Sequence, residues 1–162
     1  ELVNQQLAKM LFANPQRIDY YDRYREIINA YNAEQNRATI EKTFMDLMEL
    51  ASSLDTEQQR YVREGFSSDE ELSVYDLLFS ENLTKQEIET IKKVSVDLLT
   101  KIKQQIAKLD HWTDKQETKA IVDNLIRNTL WQELPNSYDV NDIQTYQKKI
   151  YEYVYMRYPE VA

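Results

Sequence analysis

Three adjacent carboxylates, Asp69, Glu70 and Glu71, form the densest acidic cluster of the chain. Such a cluster can hold a hard cation through its oxygens or act as a general acid and base. Its setting favours a structural use. Ser68 stands three residues before Glu71, the spacing of a capping box, and carboxylates in the first turn of a helix are stabilised by its dipole. The one histidine, His111, lies in Asp110-His111-Trp112-Thr113. It has no Glu at the Glu-x-x-His spacing of di-metal bundles, and no serine or cysteine at a recognisable dyad spacing. Zero cysteines exclude thiolate zinc sites, cysteine nucleophiles and disulfides. No catalytic, cofactor-binding or metal-binding residue is assigned.

Two further patterns concern binding. Lys92, Lys93, Lys101, Lys103 and Lys108 lie along one predicted helix and could touch phosphate, but no aromatic residues are interleaved with them, so a solvated face is the better reading. Twelve tyrosines outnumber nine valines. In the last predicted helix, Tyr146 and Tyr153 share a face with apolar residues while Tyr151, Tyr155 and Tyr158 fall on another. A helix aromatic on more than one face is either deeply buried or partly a docking surface. Trp112, just before Thr113, is most simply a core staple, though an exposed indole there would make a binding anchor. The docking surface carried forward combines Tyr151, Tyr155 and Tyr158 with Trp112 or Trp131.

Composition bounds the class of protein. The chain has 162 residues, room for one compact domain. A single glycine and three prolines argue against phosphate-cradling loops, dinucleotide folds and hairpin-rich β proteins. No apolar run approaches the roughly 18 residues of a membrane span, and mean hydropathy is −0.70, so an intracellular, membrane-free protein is expected. Net charge is −8, the wrong sign for wrapping a phosphate backbone. Residues 1–38 sum to zero, whereas 39–91 hold 4 basic against 13 acidic residues.

The elements that position these residues read as helices throughout, because apolar residues recur at three- and four-residue spacing without strict alternation. The expectation is an all-α, bundle-like single domain of about six or seven helices. A first helix through Leu2, Leu7 and Met10 stops near Asn14-Pro15 and reads as a connector, residues 1–15, leading from a preceding domain into an assembly domain, 16–162. A second, from about Gln16 to Ala33, aligns Tyr20, Tyr24, Ile27, Ile28 and Tyr31. The third starts near a Thr39 cap and carries Ile40, Phe44, Leu47, Met48, Ala51 and Leu54. Gly65 offers a stop. Capping-box pairs Ser68/Glu71 and Thr84/Glu87 open the next two, Thr113/Gln116 the sixth, and Asp139 or Asn141 the last, after the Leu134-Pro135-Asn136-Ser137 break.

Glu70-Glu71-Leu72-Ser73-Val74-Tyr75-Asp76-Leu77-Leu78, preceded by Gly65-Phe66-Ser67, resembles the C-terminal region of the motor and restriction subunit of type I restriction-modification enzymes. Two other segments agree in order. Tyr31-Asn32, Asn36-Arg37 and the helix Met45-Asp46-Leu47-Met48-Glu49-Leu50-Ala51 are similar to that family's Tyr-x-Asn-Arg and Glu-Leu-Ala-rich helix. Trp112-Thr113 leading into Glu117-Thr118 and Ile126-Arg127 resembles its Asp-Trp-Thr cap. The likeness spans about Tyr24 to Trp131, and the tail from Leu134 to Tyr158 is similar to a longer-tailed subgroup; the departures are Glu34-Gln35, one extra residue after Gly65-Phe66-Ser67, and His111. None of these segments is a catalytic motif.

The resemblance implies that the parent subunit cleaves DNA and translocates it with ATP and magnesium through nuclease and helicase-type domains preceding this region. This stretch would be catalytically inactive alone. It would dock the motor on the methyltransferase core of modification and specificity subunits, contact its own upstream helicase domains, meet DNA only indirectly, and work in the bacterial cytoplasm. The alternatives are a free-standing helical adaptor or regulator and a small acid- or metal-dependent enzyme built on Asp69, Glu70 and Glu71.

Overall fold

The computed structural model describes residues 1–160. It is all-α: 81% of the chain is helical, and no strand occurs among the described residues. Among the described residues eight helices follow one another: α1 (Leu2–Ala13), α2 (Ile18–Ala33), α3 (Arg37–Gln58), α4 (Arg60–Arg63), α5 (Asp69–Leu78), α6 (Lys85–Ala107), α7 (Gln116–Glu133) and α8 (Val140–Arg157). Two single 3-10 turns, Pro15–Arg17 and Trp112–Asp114, precede α2 and α7. Among the described residues no helix is long and apolar enough to cross a membrane. The described residues pack as two compact units, the first over residues 1–73 and the second from residue 74 onward.

In the first unit, α1 stops where Pro15 forces its predecessor out of the α region, and Asn14 is extended (φ −147°, ψ 100°). Its side chain accepts from the Gln16 N–H at 3.1 Å and so caps the turn. The three-residue link between α2 and α3 makes them an antiparallel pair, tied across by Arg23 and Glu49 at 3.3 Å. Leu7 and Met10 of α1, Ile27 of α2, and Leu50 and Leu54 of α3 form the core, with Tyr20, Tyr24 and Leu47 packed against it. The predicted α2 stripe therefore faces inward. α3 begins two residues before Thr39, because Asn36 is the cap: its side-chain oxygen accepts from Thr39 N at 2.9 Å and from Thr39 Oγ1 at 3.1 Å. The chain after α4 closes in a Schellman motif. Phe66 N–H donates to Tyr61 C=O, Gly65 N–H donates to Val62 C=O, and Gly65 adopts φ +86°, a left-handed value open to glycine without a Cβ penalty.

In the second unit, α6 presents Ile91, Val94, Leu98, Ile102 and Ile106, α7 presents Val122, Ile126 and Leu130, and α8 presents Ile143, Ile150 and Val154, all buried. Each such aliphatic side chain contributes about 1.5–3 kcal/mol of burial. Thr84 and Glu87 form the complete capping box of α6, and Asp139 and Asp142 that of α8. α7 differs from expectation. Thr113 sits in the 3-10 turn, and α7 opens at Gln116 with no side-chain cap on Lys115. Instead the Thr118 hydroxyl donates to Trp112 C=O at 2.6 Å and holds the turn against the first turn of the helix.

Candidate interaction surface

Trp112 is delivered by a tight reversal. His111 takes a left-handed conformation (φ 47°, ψ 54°), which swings the next residue inward. The indole has no exposed surface. Its Nε1–H donates to Tyr158 C=O at 2.8 Å, joining the turn before α7 to the residue that caps the end of α8. Tyr151 and Tyr155 meet the indole edge-on, with centroids 6.1 and 5.8 Å away and planes at 79° and 84°, the arrangement the ring quadrupoles favour. Tyr158 is buried too, edge-on to Tyr153 at 6.0 Å, with the Lys103 ammonium 5.5 Å from its ring centroid. Burial, then the nearby Asp123 charge, pushes the Tyr151 phenol above its ordinary range.

Four of the five proposed surface residues thus come together, but as a packed cluster rather than an open face. Trp112 and Tyr158 are core residues, because the six-residue link Leu134–Asp139 folds α8 back along α7 and closes its end over the indole. Tyr151 is half-buried and Tyr155 is 39% exposed. Trp131, 49% exposed, lies fifteen residues along α7 from Gln116, about 22 Å by helical rise, so it does not join the cluster.

The acidic cluster is committed to the fold of the first unit. Asp69 accepts two hydrogen bonds from Arg17, at 3.0 and 2.6 Å. Glu71 accepts from Ser67 N–H at 2.9 Å and Ser67 Oγ at 2.8 Å, while its own N–H donates to Ser68 Oγ at 3.2 Å. Among the described residues no group of three or more His, Asp or Glu is placed to hold a metal ion. The sequence reading missed the partner of this cluster. Arg17, 3% exposed, also donates from Nε to Glu57 at 3.0 Å, and Arg60 donates to the same carboxylate at 2.9 Å. Burial works against the Glu57 carboxylate, but the hydrogen bonds and charges of Arg60 and Arg17 outweigh it and hold its carboxyl below the usual range. No spacing rule marks a lone arginine after Pro15-Gln16 as the hub of a buried ion network.

The basic run of α6 is drawn into similar local contacts. Lys101 bridges Asp97 at 3.0 Å and Glu133 at 3.1 Å, and Lys92 lies 5.9 Å from the Tyr75 ring centroid. At the break before α8, the Tyr138 hydroxyl donates to Leu78 C=O, and burial, followed by neighbouring Tyr146 and Asp142, raises its phenol strongly.

Against this geometry, the family described as "Type I restriction enzyme HindI endonuclease subunit-like, C-terminal" matches residues 1–158. No curated protein and no solved structure matches the chain. Because the match runs through both compact units and ends at the tyrosine that receives the Trp112 hydrogen bond, the chain belongs to the family of C-terminal domains of HindI-like type I restriction enzyme endonuclease subunits.

Proposed function

We propose that this domain is a non-catalytic assembly module that docks the ATP-dependent translocase and nuclease of its parent subunit onto the methyltransferase core. The observation that carries the reading is where its charges and its apolar side chains stand. Asp69, Glu57, Glu71, Asp97 and Glu133 are hydrogen-bonded or ion-paired within the chain, whereas large apolar side chains, Phe44, Met48, Trp131 and Tyr155 among them, stand at the surface. Exposed aromatic and methionine side chains on an acidic helical scaffold suit protein contact better than contact with a phosphate backbone. On this reading ATP and magnesium act in the preceding domains, in the bacterial cytoplasm, and DNA meets this module only through its partners.

The test is truncation. A parent subunit ending just before Glu1 should fail to co-sediment with the modification and specificity subunits under conditions where the intact subunit assembles. Assembly that is equally tight without the domain would refute the proposal.

A further inference from the structure

We propose that the outward face of α3 is the part of the domain that receives the partner, and that the partner element is an amphipathic helix edged with basic residues. This deepens the docking reading and rests on it. α3 carries more apolar surface than its own unit uses. Leu50 and Leu54 point into the core and Leu47 packs against it, whereas Ile40, Phe44 and Met48, at i, i+4 and i+8, form a second line with Met45 beside it, and all four are 49–69% exposed. The line runs about 12 Å along the helix. An unbroken apolar stripe of this kind is what a partner helix reads with its own i, i+3, i+4 and i+7 anchors. The two methionines give it an adaptable, polarizable surface.

Charge selects the occupant. Apart from buried Glu57, α3 carries Glu41, Asp46, Glu49 and Asp55 against Arg37 and Lys42, and residues 1–73 hold 14 acidic against 8 basic residues. A second copy would bring together two units that each hold 14 acidic against 8 basic residues, and net like charge opposes association. A basic-edged helix meets complementary potential instead. The pairs Arg37–Glu41 and Arg23–Glu49 do not close this face, because both are exposed, and pairs of that kind are weak and readily exchanged.

The experiment uses the full-length parent subunit and the purified core of modification and specificity subunits. A photo-crosslinking residue replaces Phe44; separately, Phe44→Glu is combined with Met48→Glu, and Glu41→Lys with Glu49→Lys. All four side chains are exposed, so far-UV circular dichroism of the variants should match wild type. The expected results are a crosslink to a core-subunit helix with basic flanks and at least a roughly hundredfold loss of affinity for the apolar double variant, tenfold or more per anchor. The charge-reversed variant should lose about tenfold and show weaker salt dependence. Wild-type affinity in the apolar variant, a crosslink to a second copy, or tighter assembly after charge reversal would each overturn the proposal. The truncated subunit is the control that separates the failures: if it assembles normally the docking reading falls, and if it does not while the apolar variant does, only the α3 face falls.

Discussion

Replacing Trp112 by phenylalanine separates its two structural duties. The smaller ring keeps an aromatic between Tyr151 and Tyr155 but removes the donor that lies 2.8 Å from Tyr158 C=O. Leaving that carbonyl buried without its partner costs about 1–3 kcal/mol. The void left by the missing part of the indole adds about 1 kcal/mol for each methyl-sized gap. Trp112→Phe should therefore destabilise the second unit by roughly 2–4 kcal/mol, and Trp112→Ala by the roughly 3–5 kcal/mol usual for a buried tryptophan. Trp131→Phe, at an exposed position, should stay within about 0.5 kcal/mol. Both tryptophans lie in residues 74–162, so urea unfolding followed by the fluorescence of the remaining tryptophan reports on that unit. In Trp112→Ala the signal comes from Trp131. A midpoint for Trp112→Phe equal to wild type would show that the indole does not close α8 onto α7, and the cluster would have to be reconsidered as an open surface.

The first unit should be sensitive to its ion network. Arg17→Ala leaves Glu57 with Arg60 alone and Asp69 without its guanidinium, and should cost about 1–3 kcal/mol, read as faster amide hydrogen exchange in α1 to α3. The Glu57 carboxyl is held below its ordinary value of 4.5, so the unfolded state binds its proton first. Its contribution is accordingly present above the ordinary carboxylate range and lost as pH falls through the lowered folded value. Glu57→Gln should flatten stability across that acid window, and an unchanged acid limb would contradict the assignment. Asp139→Ala removes the cap of α8 and should cost about 1 kcal/mol, seen as a lowered urea midpoint with wild-type far-UV signal at neutral pH.

Much of the helical outline was legible because its signals are local. Pro15, Pro135 and Pro159 mark breaks that the backbone obeys, Thr84/Glu87 has the spacing of a real capping box, and Gly65 takes the left-handed turn its position needs. Caps were misread where a competitor stood nearby: Asn36 outranks Thr39, and Thr118 holds α7 through a carbonyl instead of Thr113 capping it. Periodicity picked out the apolar residues of α3 but could not say that α1 and α2 cover only Leu47, Leu50 and Leu54 among them. Tyr158 was read as surface for the same reason, and Trp112, most simply a core staple, was also kept as an exposed anchor. A pattern within one helix does not contain the hydrogen bond that joins residue 112 to residue 158. Arg17 carries no periodic signal, since its partners lie 40 and 52 residues away.

The measurement that bears most directly on the docking account is sedimentation velocity of this chain, first shown to be helical by circular dichroism, with and without the purified modification and specificity subunits at low and high salt. The account predicts a faster-moving complex whose population falls as salt rises, because an acidic module meets a basic partner face. A helical chain that sediments alone at both salt concentrations, beside a parent subunit that assembles with or without it, would contradict the account.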